Sequence, residues 1–253
     1  MTSLTIVIAV LATLVAALGL TALARFVAKL RSADPTIWKR AIRQFEKEDR
    51  RSPPPKGVIV FTGSSSIRFW KSLKEDMAPL PVVNRGFGGS QIPQVTHYAD
   101  RIVLPYQPRA VVFYAGENDM AGLFLSSKKG PTEIRDAYRR FCEKIHGALP
   151  DVPIYYISTK PPKRRLRLWP AMQVANQLVR EYCASGKRLR YIDIVPAMLD
   201  TAGKPRRDVF KWDGIHLNEK GYAIWTSVVR PVLLEAFPES KQSATGALPS
   251  PAA

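Results

Sequence analysis

VIVFTGSSSIRFW occupies Val58 to Trp70. Val58–Phe61 is β-branched and aromatic, the composition of a strand buried on both faces. The run stops at Gly63. Three serines come next, and Ile67, Phe69 and Trp70 then predict a helix. A strand that turns through glycine into a helix brings a side chain to the carboxyl end of a sheet. The N–H groups of the helix's first turn point at the same place. A serine there can serve as a nucleophile, and those N–H groups can receive the oxyanion it generates. Read alone, serine before a helix is equally an N-cap.

The chain around this stretch alternates. Strands are predicted at Val58–Thr62, Pro81–Asn84, Ala110–Ala115, Pro153–Ser158 and Leu189–Ile192. Helices are predicted around Ile67–Lys74, Gln91–Arg101, Thr132–Leu149, Pro170–Ser185 and Glu219–Phe237. Short apolar strands separated by helices specify an α/β domain with a parallel sheet. The expectation is a flavodoxin-like, doubly wound, five-stranded parallel sheet over residues 58–237, with no internal repeat.

Upstream, Leu4–Ala24 reads LTIVIAVLATLVAALGLTALA and carries no charge. As a helix it is about 31 Å long, the thickness of a bilayer core. No Lys or Arg precedes it. That favours an uncleaved transmembrane anchor over a signal peptide, although Ala22-Leu23-Ala24 is a small-residue cleavage pattern. Arg25, Lys29, Arg31, Lys39, Arg40 and Arg43 all lie after the apolar run. By the positive-inside rule they hold the downstream domain on the cytoplasmic side; a translocated, secreted or periplasmic domain is the alternative. Residues 1–31 are thus read as anchor and basic flank. Residues 32–57 are read as an amphipathic helix and a Pro-rich connection. Asp34-Pro35 starts that helix, Trp38, Ile42 and Phe45 form its apolar stripe, and SPPPKG at 52–57 leads to the first strand. The tail 238–253, small, polar and Pro-containing, is expected to be disordered.

The net charge of +17 over 253 residues is unusual, whereas the 46% apolar fraction is not. Such charge suits nucleic acid, anionic membrane or acidic substrates. The basic residues fall in local groups, at Arg25–Lys56, Lys160–Arg167, Lys187–Arg190 and Lys204–Arg207, and no nucleic-acid-binding signature accompanies them. No specific nucleic-acid partner is expected. Cys142 and Cys183 are too few for a disulfide framework or metal set, and both are read as buried thiols.

Function is suggested by the segments at the strand ends: GSSS after the first, NRGFGGS after the second, GEND after the third. In an open doubly wound sheet these segments converge, because sites form at the carboxyl ends of strands. WDGIH, at 212–216, precedes the last helix. His216 can take a serine proton, and Asp213 can hold the imidazole tautomer. Gly88 and Gly89 allow close approach of backbone N–H groups, and Asn118 brings an amide donor. Each segment alone has a plainer reading as turn, loop or cap. Together, in the order Ser, Asp, His, they make an acyl-transfer site. His97 is a distant second choice of base, and His146 is read as a surface residue. No G-x-S-x-G elbow is present.

These segments resemble the blocks of the SGNH/GDSL hydrolase superfamily over roughly 58–237. Gly63–Ile67 is similar to the nucleophile block, with Ser65 matching its serine. Asn84–Ser90 is similar to the glycine block, with Gly89 matching, and Gly116–Asp119 to the asparagine block, with Asn118 matching. Asp213–His216 is similar to the D-x-x-H block. The resemblance implies a catalytic triad of Ser65, Asp213 and His216 and an oxyanion hole of Ser65, Gly89 and Asn118. It implies esterase, lipase or acetylhydrolase chemistry on a small or lipid-like acyl ester, through an acyl-enzyme, with no metal or cofactor. An acyltransferase and a catalytically silent binding protein are the alternatives. The first block departs from the family's Gly-Asp-Ser, because Ser64 stands in place of Asp, so the register is open among Ser64, Ser65 and Ser66. Glu117 replaces a commoner small residue. Finally, KPPKRRLRLWP at 160–170 is expected as a loop at the site's end of the sheet. It reads as a solvated surface loop or, with Trp169 at an interface, as a guide for anionic or membrane-bound substrates.

Overall fold

A computed structural model describes residues 3–31, 33–123 and 126–238 of the chain. Five strands form one sheet: β1 (Ile59–Gly63), β2 (Val82–Gly86), β3 (Ala110–Tyr114), β4 (Ile154–Ile157) and β5 (Leu189–Ile192). Their order is β2-β1-β3-β4-β5, and every pairing is parallel. This is the doubly wound, flavodoxin-like order, in which the winding reverses between β1 and β3. The predicted strands are all present, their ends shifted by at most two residues.

The period-2 geometry of a strand sends alternate residues to opposite layers. Val60, Val111, Phe113 and Tyr156 face one core. Helices α5 (Ile92–Ile102), α7 (Pro131–Ala148) and α8 (Trp169–Ser185) pack there. Ile59, Phe61, Val112, Tyr114 and Ile157 face the other. On that side lie α3 (Ser65–Arg68), α4 (Leu73–Asp76) and α9 (Glu219–Ala236). Tyr138, on α7, sits with Cys142 and Cys183 in the first core. Both thiols are buried and free, and burial raises both pKa values, that of Cys183 to about 12. Such thiols are inert as nucleophiles.

The single helix expected at Ile67–Lys74 is instead two short ones. Asn84 explains the break. Its amide donates to the carbonyls of Ile67 (2.6 Å) and Trp70 (3.3 Å), taking acceptors that a continuing helix would use. Trp70 then turns inward, its indole N–H donating to Asp76 Oδ2 at 2.6 Å.

The segment before the sheet forms α1 (Ser3–Arg31), a short 3₁₀ turn at Pro35–Trp38 and α2 (Lys39–Arg51). Within α1, Thr5–Ala28 is long and apolar enough to cross a membrane, with a mean hydropathy of 2.7 and none of it buried. The 3₁₀ turn and α2 pack beside α5. Asp34 caps the turn through Thr36 N–H, Trp38 donates to Gln94, and Ile42 is buried. Asp49 on α2 pairs with Arg85, and Glu46 with Arg101 at 2.7 Å. The tail expected to be disordered lies, beyond Pro238, outside the described residues.

Candidate active site

The site forms where β1 and β3 end, at the reversal point of the sheet. Gly63 closes β1 with φ +135°, and a Cβ there would lie 1.9 Å from the Tyr114 carbonyl oxygen. Only glycine lets β1 turn this close to β3. Ser64 N–H then donates to that same carbonyl (2.9 Å), and α3 begins.

The three serines separate here. Ser64 and Ser66 are buried. Ser66 Oγ accepts from Lys160 Nζ at 3.2 Å. Ser65 is half-buried, and its Oγ lies 2.9 Å from His216 Nε2. His216 Nδ1 lies 2.6 Å from Asp213 Oδ2. Asp213 Oδ1 accepts the Ile215 and His216 N–H groups, each at 2.9 Å, which folds 213–216 into a tight turn ahead of α9. Burial pushes the Asp213 carboxyl up, but the bonds from the His216 ring and the two N–H groups outweigh it and hold the pKa at about 2. Asp213 is therefore ionised at neutral pH, and it sets Nδ1 as the protonated nitrogen. The Phe69 ring meets the imidazole edge to face, centroids 4.8 Å apart.

Asn118 opens from α6 (Glu117–Ala121) and is buried. Its amide donates to the Ser90 carbonyl (3.2 Å), while its Oδ1 accepts from Arg165 Nη1 (3.2 Å). One amide hydrogen is left for a ligand. Gly89 is partly exposed on the loop after β2. Among the described residues, neither the Ser65 nor the Gly89 N–H donates a hydrogen bond. Gly88 has a different task from the one expected. Its φ is +43°, and a Cβ would fall 2.0 Å from the Trp38 ring, so its bareness serves the packing of the 3₁₀ turn. Asp119, next to Asn118, accepts the Ile92 N–H at the start of α5 (3.0 Å) and so ties α6 to α5.

Three expectations need correction. Lys160 is not part of a solvated basic loop: it is fully buried. Its ammonium reaches Glu117 Oε2 (2.5 Å), Tyr114 OH (3.1 Å) and Ser66 Oγ. Burial disfavours the Glu117 charge, but Lys160, Arg165 and Tyr114 more than offset it and keep that carboxyl below its usual range. The unusual Glu117 thus has its partner in the unusual lysine, and the pair joins the ends of β1, β3 and β4. Asn176 on α8 holds the neighbouring Thr159 through both its backbone groups, at 2.8 and 2.9 Å. Trp169 packs on the core side of α8 rather than at an interface; the exposed tryptophan near the site is Trp212, at 93%. His146 is half-buried and its Nε2 contacts the Val152 carbonyl at 3.0 Å. His97 is exposed on α5, edge to face with the Tyr98 ring, and has no link to Ser65 among the described contacts.

Residues 56–224 match the model of the GDSL-like Lipase/Acylhydrolase family. The chain belongs to this family. Its fold recurs in solved structures. A Streptococcus pneumonia protein aligns with a TM-score of 0.67 at 17% identity, covering 86% of this chain and 99% of its own. A GDSL-like lipase from Bacteroides thetaiotaomicron aligns with a TM-score of 0.65 at 17% identity, covering 78% and 98%. A Clostridium thermocellum family 3 carbohydrate esterase gives 0.54 at 17% identity, covering 72% and 99%. Comparison with curated proteins finds no match. In this GDSL-like chain, among the described residues, no group of three or more His, Cys, Asp or Glu could hold a metal ion.

Proposed function

We propose that the protein is a serine hydrolase that cleaves a carboxylic ester through an acyl-enzyme. The observation that carries the reading is the hydrogen-bonded line from Ser65 Oγ through His216 to Asp213. Ser65 attacks the acyl carbonyl as His216 Nε2 takes its proton. Asp213 stabilises the imidazolium that forms. The oxyanion is received by the Ser65 and Gly89 N–H groups and the free amide hydrogen of Asn118. The imidazolium returns its proton to the departing alcohol. Water, deprotonated by the same His216, then releases the acid. Lys160 and Glu117 hold the floor beneath Ser65 and Asn118. Residues 58–237 form the hydrolase unit, and the apolar helical span Thr5–Ala28 anchors it to a membrane with the unit on the cytoplasmic side.

The test uses the full chain and p-nitrophenyl acetate. Ser65→Ala and His216→Ala should each lower kcat about 10⁴-fold or more. Asn118→Ala should lower it about 10²–10³-fold with little change in KM. Activity that survives Ser65→Ala refutes the nucleophile. Transfer of the acetyl group to an added alcohol in preference to water would instead mark an acyltransferase.

A further inference from the structure

Beside the candidate active site lies an open groove of about 590 Å³ with four cations along it. Lys128 precedes α7, and Arg164, Arg165 and Arg167 belong to the 3₁₀ turn at Lys163–Leu168; Leu123 and Leu168 give it apolar lining. Among the described residues no carboxylate lines it. Among the described residues Lys128, Arg164 and Arg167 form no ion pair. Arg165 is the exception, 3.9 Å from the buried Glu117 Oε1.

Two contacts set this groove against the reacting groups. Arg165 bonds Asn118 Oδ1. Arg164 N–H donates to the Gly214 carbonyl at 3.0 Å, inside the turn that joins Asp213 to His216. The same short turn therefore touches the amide and the base-bearing loop. Four like charges gathered along one groove repel one another and give it a positive potential. A bound anion offsets that repulsion. A carboxylate brings one charge. A phosphate brings up to two and several acceptor oxygens, which arginine forks grip in pairs.

We propose that the groove is a phosphate subsite of this active centre, so that the favoured esters carry a phosphate group near the acyl carbonyl. The inference rests on the serine-esterase reading for its catalytic part. The phosphate can belong to a soluble ester or to a lipid headgroup.

The experiment compares wild-type full chain with the Lys128→Gln/Arg164→Gln/Arg167→Gln variant, both in zwitterionic detergent. Arg165 stays in place because it holds Asn118. The substrate pair is 2-acetoxyethyl phosphate and neutral 2-acetoxyethanol. The variant should lose about 10-fold or more in kcat/KM on the phosphate ester and stay within about two-fold on the neutral one. Added salt should slow wild type on the phosphate ester and leave the variant unchanged. If neither this pair nor the lipid pair that follows shows a selective loss, the subsite is overturned. Lysophosphatidylglycerol and monoacylglycerol micelles repeat the comparison; a loss confined to the phospholipid assigns the phosphate to a headgroup. If wild type turns over no ester, the esterase reading fails by itself, and inorganic phosphate titrated calorimetrically into both proteins still reads the groove. Binding to wild type and not to the variant supports it, and no binding to wild type overturns it.

Discussion

Lys160 stands in a run of cations, and its neighbours Lys163, Arg164 and Arg167 are exposed, yet it is the buried one. Sequence patterning reads such a run as one solvated face, because local charge says nothing about a carboxylate 43 residues earlier. Lys160→Met leaves the Glu117 carboxylate, at 4% side-chain exposure, with only the Tyr114 hydroxyl and the more distant Arg165 as partners. Urea denaturation should show a loss of about 3–5 kcal/mol, and adding Glu117→Gln should restore part of it. Strictly additive losses would mean the two residues do not act as a pair. Asp119 gives a pH prediction. Burial pushes its carboxyl up to about 7 against the Ile92 N–H bonds. In the unfolded chain the value is about 3.9. The folded state therefore holds this proton more tightly, so the stability linked to it is complete below about pH 4 and declines as pH rises to about 7. Asp119→Asn keeps an acceptor for Ile92 and removes the titration. The Tm of the variant relative to wild type should rise between pH 5 and pH 8, and a pH-independent difference would refute the assignment.

Elements were legible where a run of residues states its own preference. β5 begins and ends at its predicted bounds, and α7, α8 and α9 each lie within a residue of theirs. The failure at Ile67–Lys74 has a tertiary cause, since Asn84 on β2 takes the carbonyls that would have continued α3. The glycine loop is the other case. Gly88-Gly89 reads as one substrate-facing pair, but Trp38, fifty residues upstream by sequence number, claims Gly88. Gly88→Ala combines a positive φ with overlap on the Trp38 ring. Chemical denaturation should show a loss of about 1–3 kcal/mol. Trp38→Ala in the same chain should relieve the overlap and leave the backbone strain, so the double variant should fall short of the sum of the two single losses.

For the whole molecule, the parallel sheet brings Ser65 and His216 together across 151 residues. The reversal of winding between β1 and β3 opens the crevice in which Ser65 and Asn118 sit at adjacent strand ends. The apolar helix Thr5–Ala28 adds a second solvent to the problem, since its exposed leucines and valines favour hydrocarbon. The full chain should stay in the membrane pellet after carbonate washing and keep its N-terminus, as mass spectrometry of the extracted protein would read. Release into the supernatant with a new terminus near Ala24 would mark a cleaved signal instead.

The order of strands and helices, the glycine turn after β1 and the chemical identities of the serine, amide, carboxylate and imidazole were all set by sequence. Each rests on residues a few positions apart, where backbone preference and side-chain type act locally. Which serine hydroxyl faces His216, the pairing of Lys160 with Glu117, the claim of Trp38 on Gly88 and the gathering of Lys128 with Arg164, Arg165 and Arg167 were decided only by tertiary structure. Those partners lie far apart along the chain. Burial and charge pairing between them arise only after the sheet has chosen its strand order.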